Sequence, residues 1–472
     1  MTTITAIAPD AILPDTFRIP EQQAEQADWS VGPVTGHRVR VLLSMTLATL
    51  GLYRIQHEIW PRNFAPVGPF MAAWSWTSLL WLGAVLPALT GLLGMLRYRH
   101  PAAGPVSWVP QLVSWRIVSR GTNVAALTAT IRRCQAEMAR TPLFPYVIEV
   151  VTDTQALNLP APNDDISYIV VPPDYQTPGH SLYKARALHY AVLHSPLPAD
   201  AWIVHLDEET QPTASGIRGI ARMISEEEAS GQYHIGQGAI LYHRDWRKHP
   251  FLTLADNVRT GDDFARFHFA HRLGVTVFGL HGSYIVVRNS VETGSGGFDF
   301  GPRGSITEDA FWALMLMEQG YRIRWVEGYL EEQSCQTVAD FVKQRRRWFQ
   351  GLAKVALFAP VKLRWRLTIG INSALWVLAP FAIIYTAAHF ALGGYVEPWV
   401  RLLANMSFAS FITLYITGLK ANLDEHGMTR FWARIFWHLA QIVLLPVFTL
   451  MEGSGVVLGL TTRNSGFHVV RK

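Results

Sequence analysis

Three consecutive carboxylates, Asp207, Glu208 and Glu209, close the run WIVHLDEET at residues 202–210. The residues before them, Trp202 to Leu206, read as a buried strand broken in polarity only by His205. Like charges this close repel one another, and burying them unpaired is costly. Something positive is expected at the strand end. If the extended backbone persists, side chains 207 and 209 point to the same side. Two such carboxylates suit a hard divalent cation, Mg2+ or Mn2+, with phosphate oxygens completing its shell. A lysine would also meet the charge. The same three residues would equally serve as a solvated turn before TQPTASG.

Other residues at element ends carry chemistry of their own. Asp153 closes VIEVVTD, where a carboxylate can accept hydrogen bonds from a nucleotide base or ribose, or cap a turn. Lys184 and Arg186 open the helical stretch SLYKARALHYAV, and cations beside a helix N-terminus suit a phosphate. Ordinary surface cations fit them as well. In GSITEDAFWALM, Glu308 and Asp309 stand at a helix start, where a carboxylate caps the helix or acts as a general base. The glycine-rich loop GSGGFDFGPRGS precedes them and would let an acceptor approach. Gln344, Arg347 and Trp348 lie in KQRRRWFQG. A guanidinium holds a diphosphate and an indole stacks on a sugar. His205, His281 and His468 are candidate ligands, though structural roles fit each of them better.

The elements that must position these groups alternate between strand and helix patterns from about 108 to 340. LVSWRIVSRG, FPYVIEVVTD, ISYIVVPPDY and AWIVHLDEET read as strands; NVAALTATIRRCQAEMA and SLYKARALHYAVLH read as helices. This order predicts an α/β domain with a mostly parallel sheet, whose ligands bind at the carboxyl ends of the strands.

Apolar segments flank that domain. Val39–Tyr53, extendable to Trp60, and Phe70–Leu96 predict a transmembrane hairpin over 38–97, joined by WPRNFAPVGP. Arg38 and Arg40 precede it, Arg97 and Arg99 follow it, and the connection holds only Arg62. Positive charge thus places both hairpin ends, and the domain after them, in the cytosol. Residues 341–366 carry eight basic residues and no acidic ones, interleaved with aromatics, as in an amphipathic segment on an anionic membrane surface. Further spans are expected at Leu367–Tyr395 and Leu402–Leu419. The last apolar block, within a membrane region ending near 460, contains Pro446 and Glu452 and fits one span, a re-entrant pair or an interfacial segment. A polar tail (1–37) and a basic tail (461–472) complete the chain.

Composition agrees with a multi-pass membrane protein carrying a large soluble domain. Of 472 residues, 49% are hydrophobic and only 16% charged, against roughly 25% in soluble chains. Mean hydropathy is nevertheless only +0.14. The net charge of +5 points to lipid headgroups and a phosphorylated substrate rather than nucleic acid. The two cysteines, Cys134 and Cys335, have no metal-ligand spacing and imply no disulfide framework. The N-terminal stretch lacks the charged and apolar regions of a signal peptide.

The order of the candidates is more specific than any one of them. Asp153, Lys184, Asp207-Glu208-Glu209, Thr307-Glu308-Asp309 and Gln344–Trp348 together resemble the D, DxD, (T/E)ED, Q(Q/R)xRW series of family 2 membrane glycosyltransferases, which have a GT-A fold. The words GHSLYKARALHYAV, DAWIVHLDEET, GQGAILY, HGSYIVVRNSVE, TEDAFWALM and QRRRWFQG resemble the Egghead-type β-1,4-mannosyltransferases, which also carry Asp-Glu-Glu in place of Asp-x-Asp. The resemblance implies transfer of mannose from GDP-mannose to a glucosyl glycolipid, with inversion. It implies donor binding by Asp153, Lys184, Arg186, Asp207, Gln344, Arg347 and Trp348, and metal binding by Asp207 and Glu209. It also implies acceptor binding by Glu308 and Trp348, with Asp309 as base. A processive polysaccharide synthase using a UDP-sugar shares the last motif and is the alternative; a non-catalytic scaffold fits the intact acidic series poorly.

Overall fold

The structure is a computed structural model of the chain. It describes residues 34–59, 68–98, 106–153, 159–244, 246–392 and 395–462. Most of the polar tail, most of WPRNFAPVGP, and residues 463–472 with His468 lie outside the described residues.

Seven strands form one sheet: β1 (Val113–Ser119), β2 (Tyr146–Thr152), β3 (Ile166–Val170), β4 (Trp202–Asp207), β5 (Ile235–Leu241), β6 (Ile285–Arg288) and β7 (Ile323–Glu331). Their order is β3-β2-β1-β4-β6-β5-β7. All neighbours run parallel except β6, which is antiparallel to both β4 and β5. The mostly parallel α/β sheet of a GT-A-type domain is therefore present. Its strands are near-continuous apolar runs because helices cover them: Trp115, Ile117, Val204 and Leu206 pack with Leu127 and Ile131 of helix Val124–Arg140 and Ile217 and Ile220 of helix Ala214–Ser230. Each such aliphatic side chain contributes about 1.5–3 kcal/mol on burial.

Register sets the site. Val118 stands opposite Asp207, and Ser119 opposite Thr152. The carboxyl ends of β1, β2 and β4 thus finish level, and Ser119, Asp153 and Asp207 emerge along one edge of the sheet.

Five long helices pack together beside this domain. Val34–Ile59, Gly68–Arg97, Leu363–Leu392, Pro398–Glu425 and Phe431–Thr461 run for 26, 30, 30, 28 and 31 residues. At 1.5 Å per residue each exceeds the roughly 30 Å of a bilayer core. Among the described residues, Gly68–Arg97, Pro398–Glu425 and Phe431–Thr461 are both long and apolar enough to cross a membrane. Leu43, Leu47, Leu50, Leu439 and Val443 on the outer faces of this group are exposed, which a lipid surround tolerates and water does not. The block containing Pro446 and Glu452 is one unbroken helix, and Glu452 accepts from Arg345 Nε at 2.7 Å.

Helix Pro250–Asp262 ties the sheet to these helices. It crosses Pro398–Glu425 so closely that a Cβ at Gly418 would lie 1.9 Å from the Asn257 carbonyl oxygen. Asn422 completes the joint: its amide donates to Asn257 Oδ1 at 2.7 Å and its oxygen accepts from the Tyr242 backbone N–H at 2.7 Å.

The basic segment begins as helix Val338–Phe358, capped by the Thr337 hydroxyl, which accepts from the Asp340 N–H. One face, including Phe341, Gln344, Arg345 and Phe349, is buried. Arg345 is only 1% exposed and donates to Asp256 and Glu452, both at 2.7 Å. This helix is therefore packed between the sheet domain and the last apolar helix along that face.

Candidate active site

Asp207 ends β4, and the turn Asp207–Thr210 closes over it by a backbone hydrogen bond of 3.0 Å. The predicted positive partner is a lysine. Lys184 Nζ donates to Asp207 Oδ1 at 2.5 Å and to the Gly282 carbonyl at 2.9 Å, and stands 3.7 Å from Glu308. It reaches them from the first turn of helix Tyr183–His194. Tyr183 has a φ of 54°, a backbone region costly for an aromatic residue, directly before this lysine. Burial alone would lower the Lys184 ammonium pKa, but the Asp207 and Glu308 carboxylates outweigh it and hold it above the ordinary lysine range.

Glu208 lines the cavity of the site beside Ser119. It accepts from the Ser119 hydroxyl at 2.5 Å, while its carbonyl accepts from Thr130 at 2.7 Å. Glu209 is buried and faces the same cavity. Asp153 and Arg186 form a pair at 2.6 Å, with Arg186 also donating to the carbonyls of Pro172 and Tyr175.

Glu308 and Asp309 begin helix Glu308–Glu318. Burial, and then the neighbouring Glu308 carboxylate, raise Asp309 to about 7, while burial also raises Glu308. The Ala310 N–H donates to Asp309 Oδ1 at 2.7 Å and fixes the carboxyl. Gly282 lies at the centre of the group. A Cβ added there would meet Lys184 Nζ at 3.1 Å, Asp309 Oδ2 at 3.4 Å and Asp207 Oδ2 at 3.5 Å. The absence of a side chain at 282 keeps that space open.

From the basic helix come Gln344, Arg347 and Trp348. Gln344 is buried, and its oxygen accepts from Arg345 at 2.5 Å. The Trp348 ring is flanked by the guanidiniums of Arg259, 4.7 Å from its centroid, and Arg345, 4.5 Å away. Arg259 is a site residue that sequence reasoning missed.

The ten residues to which the family resemblance gives donor, acceptor, base or metal roles line one cavity of about 750 Å3: Asp153, Lys184, Arg186, Asp207, Glu209, Glu308, Asp309, Gln344, Arg347 and Trp348. The cavity continues past them between the apolar helices, along Trp81, Pro87, Leu378, Ala382, Phe408 and Phe411. Helix Gly68–Arg97 tightens to a 3-10 turn at Thr77–Ala84 beside it. His205 is elsewhere: it is buried 2.7 Å from Glu292, which pairs with Arg116, in a network inside the domain.

A divalent cation fits these residues in one way. Among the described residues, no three of His, Cys, Asp or Glu gather as a metal cage. Asp207 and Glu209 offer two carboxylates in the cavity, and a hard cation held by one or two carboxylates takes its remaining ligands from phosphate oxygens and water.

A carboxylate cluster at the strand ends of a mostly parallel sheet, roofed by a Gln-x-x-Arg-Trp helix, is the site of a glycosyltransferase. Residues 202–450 match the model of the glycosyl transferase family group 2, and the chain belongs to this family of glycosyltransferases. It is 33% identical over 369 residues to the β-1,4-mannosyltransferase egh of Drosophila melanogaster, covering 76% of this chain and 77% of that protein. It is 29% identical over 425 residues to the β-1,4-mannosyltransferase bre-3 of Caenorhabditis elegans, covering 86% and 90%. Among solved structures, the mannosyltransferase PcManGT from Pyrobaculum calidifontis, in complex with GDP-Man and Mn2+, aligns with a TM-score of 0.46 at 12% identity, over 82% of this chain and 96% of that one.

Proposed function

We propose that this glycosyltransferase moves a mannosyl residue from GDP-mannose to the glucosyl headgroup of a glycolipid, forming a β-1,4 linkage at the cytosolic membrane face. The mannosyl and linkage assignments are supported by the named relatives, which share most of their length with this chain. A lipid acceptor is supported by the cavity, which runs from the Asp309 carboxyl to a lining of apolar side chains on the long helices. That continuity is the observation that carries the reading. A headgroup at the polar end and a tail between the helices would occupy one space. The division into a membrane hairpin (38–97), a cytosolic catalytic domain (108–340), a basic segment (341–366) and a C-terminal membrane region (367–460) belongs to this proposal.

The residues take the following roles. Asp153 and Arg186 receive the nucleoside end of the donor. Asp207 and Glu209 would hold a divalent cation, Mg2+ or Mn2+, which neutralises the diphosphate when bound. Lys184 orients Asp207 through its 2.5 Å contact. Arg347 and Trp348 close over the diphosphate and acceptor sugar, with Gln344 beneath them. Glu308 borders the acceptor. Asp309, held near neutrality, accepts the proton of the acceptor hydroxyl. The hydroxyl oxygen bonds to the anomeric carbon as the bond to the diphosphate oxygen breaks on the opposite face. One displacement inverts the α-linked donor to a β product.

A panel of radiolabelled sugar nucleotides offered to purified protein with glycosylated lipids tests the donor assignment. Label transfer from GDP-mannose above all others is expected. Transfer solely from a UDP-sugar, with products growing to long chains, supports the polysaccharide synthase instead.

A further inference from the structure

We infer that Arg259 is a donor-binding residue, its guanidinium donating to the phosphate oxygens of the nucleoside diphosphate sugar. The inference rests on the reading that such a donor enters this cavity. Arg259 lies on helix Pro250–Asp262, which carries none of the residues singled out from the sequence.

The guanidinium is open to the cavity. Arg259 lines it, and so do Asp262 and Arg266, three and seven residues on, so this face of the helical run is turned toward it. The side chain is 18% exposed. It makes no hydrogen bond among the described residues, yet none of its nitrogens is a buried orphan; they keep accessible surface, and that surface faces the cavity the side chain lines. Its ion pair with Glu332 is 3.9 Å long, beyond hydrogen-bond reach, and Glu332 accepts from the Tyr242 hydroxyl at 3.4 Å. Four other cations lining the cavity already hold carboxylates: Lys184 with Asp207, Arg186 with Asp153, Arg266 with both oxygens of Asp262, and Arg345 with Asp256 and Glu452.

Stacking fixes Arg259 instead. The guanidinium lies over the Tyr242 ring, 4.6 Å from its centroid, and over the Trp348 ring at 4.7 Å. A planar guanidinium can stack by its faces while the N–H groups on its edge donate. Its surroundings are those of the reaction. Burial, and after it the Arg259 charge, draws the His281 imidazole well below its ordinary range, and His281 immediately precedes Gly282, around which Lys184, Asp207 and Asp309 converge.

Charge selects the ligand. A fixed cation with no hydrogen-bonded acceptor suits an anion of several oxygens, and the guanidinium fork matches phosphate. The hydroxyls of the donor sugar and of a glucosyl acceptor carry no charge. The diphosphate does, so the contact is assigned to it.

Full-length protein in detergent with Mn2+ is titrated with GDP by calorimetry, guanosine is measured by displacement of GDP, and initial rates give the acceptor KM. The same series with UDP and uridine reads the diphosphate whichever base the enzyme prefers. Arg259→Met keeps an unbranched side chain against the rings. It weakens the diphosphate about 10- to 100-fold, the loss expected for hydrogen bonds to a charged group, and leaves the nucleoside within about threefold. Arg259→Lys, which keeps the charge without the fork, loses less than Arg259→Met. Unchanged diphosphate affinity in Arg259→Met overturns the inference, even where the acceptor KM rises, since the anion would then belong to the acceptor. Equal loss of diphosphate and nucleoside, or a lysine variant as weak as the methionine one, also overturns it, because the residue then only shapes the site. Wild-type protein that binds UDP and not GDP contradicts the GDP-mannose reading alone, and the UDP series then decides the role of Arg259. Wild-type protein that binds neither diphosphate overturns both.

Discussion

At the scale of single residues, the site sets one lysine, Lys184, among acidic groups that differ because their surroundings differ. Asp207 is paired with Lys184, Glu208 accepts from Ser119, and Asp309 keeps its proton to about 7. Asp309→Asn is expected to lower kcat by about 10²–10⁴-fold, the range for a lost general base, with donor affinity retained; unchanged turnover would remove the base assignment. The raised value also sets a pH dependence. Protonated Asp309 cannot accept the hydroxyl proton, so the rate falls as pH drops through about 7. A bound cation nearby would move this limb to lower pH, and a rate that increases on acidification contradicts it. Chelation by EDTA is expected to stop transfer, with Mn2+ or Mg2+ restoring it; full turnover after chelation would remove the ion from the account. Asp153, Asp207 and Asp309 were legible in the sequence because each closes a strand or opens a helix with a charge. Gly282 and Arg259 were not. A glycine among 36 carries no local mark of what converges on it, and Arg259 meets Trp348 only through the fold.

At the scale of elements, the basic helix Val338–Phe358 shows how one motif serves two surfaces. The sequence pattern of cations and aromatics reads as a membrane-surface segment, yet its central cation, Arg345, is buried between Asp256 of helix Pro250–Asp262 and Glu452 of the last helix. Neither partner is close in sequence, so the pattern alone could not reveal the triad. Arg345→Met leaves two carboxylates without their partner and should cost about 3–5 kcal/mol, seen as a lower unfolding midpoint in detergent. Adding Asp256→Asn and Glu452→Gln should recover much of that loss; a midpoint that does not move on Arg345→Met contradicts the triad's importance. The triad also explains Glu452, which as sequence looked like an interruption of an apolar block and instead sits within a continuous helix. The first four strands were legible because they are apolar runs separated by helical stretches or turn signals. β5, β6 and β7 were not placed; β6 is four residues long and runs antiparallel, outside the strand-helix rhythm.

At the scale of the whole molecule, the account depends on one continuous space. The sheet domain holds the carboxylates at the strand ends, and the long helices add the apolar lining of Trp81, Leu378, Phe408 and Phe411. The joint at Gly418 and Asn422 brings them together. The α/β class and the presence of apolar segments followed from composition and pattern. That the cavity crosses from one part to the other did not, because it is formed by residues from Leu80 to Glu452 that meet only on folding. The most direct test of the central claim is to incubate the purified protein with GDP-mannose and a glucosyl lipid, then determine the mass and linkage of the product lipid. A single added hexose in a β-1,4 linkage to the glucosyl residue is predicted. An α-linked product, a polymer, or sugar attached only to water would contradict it.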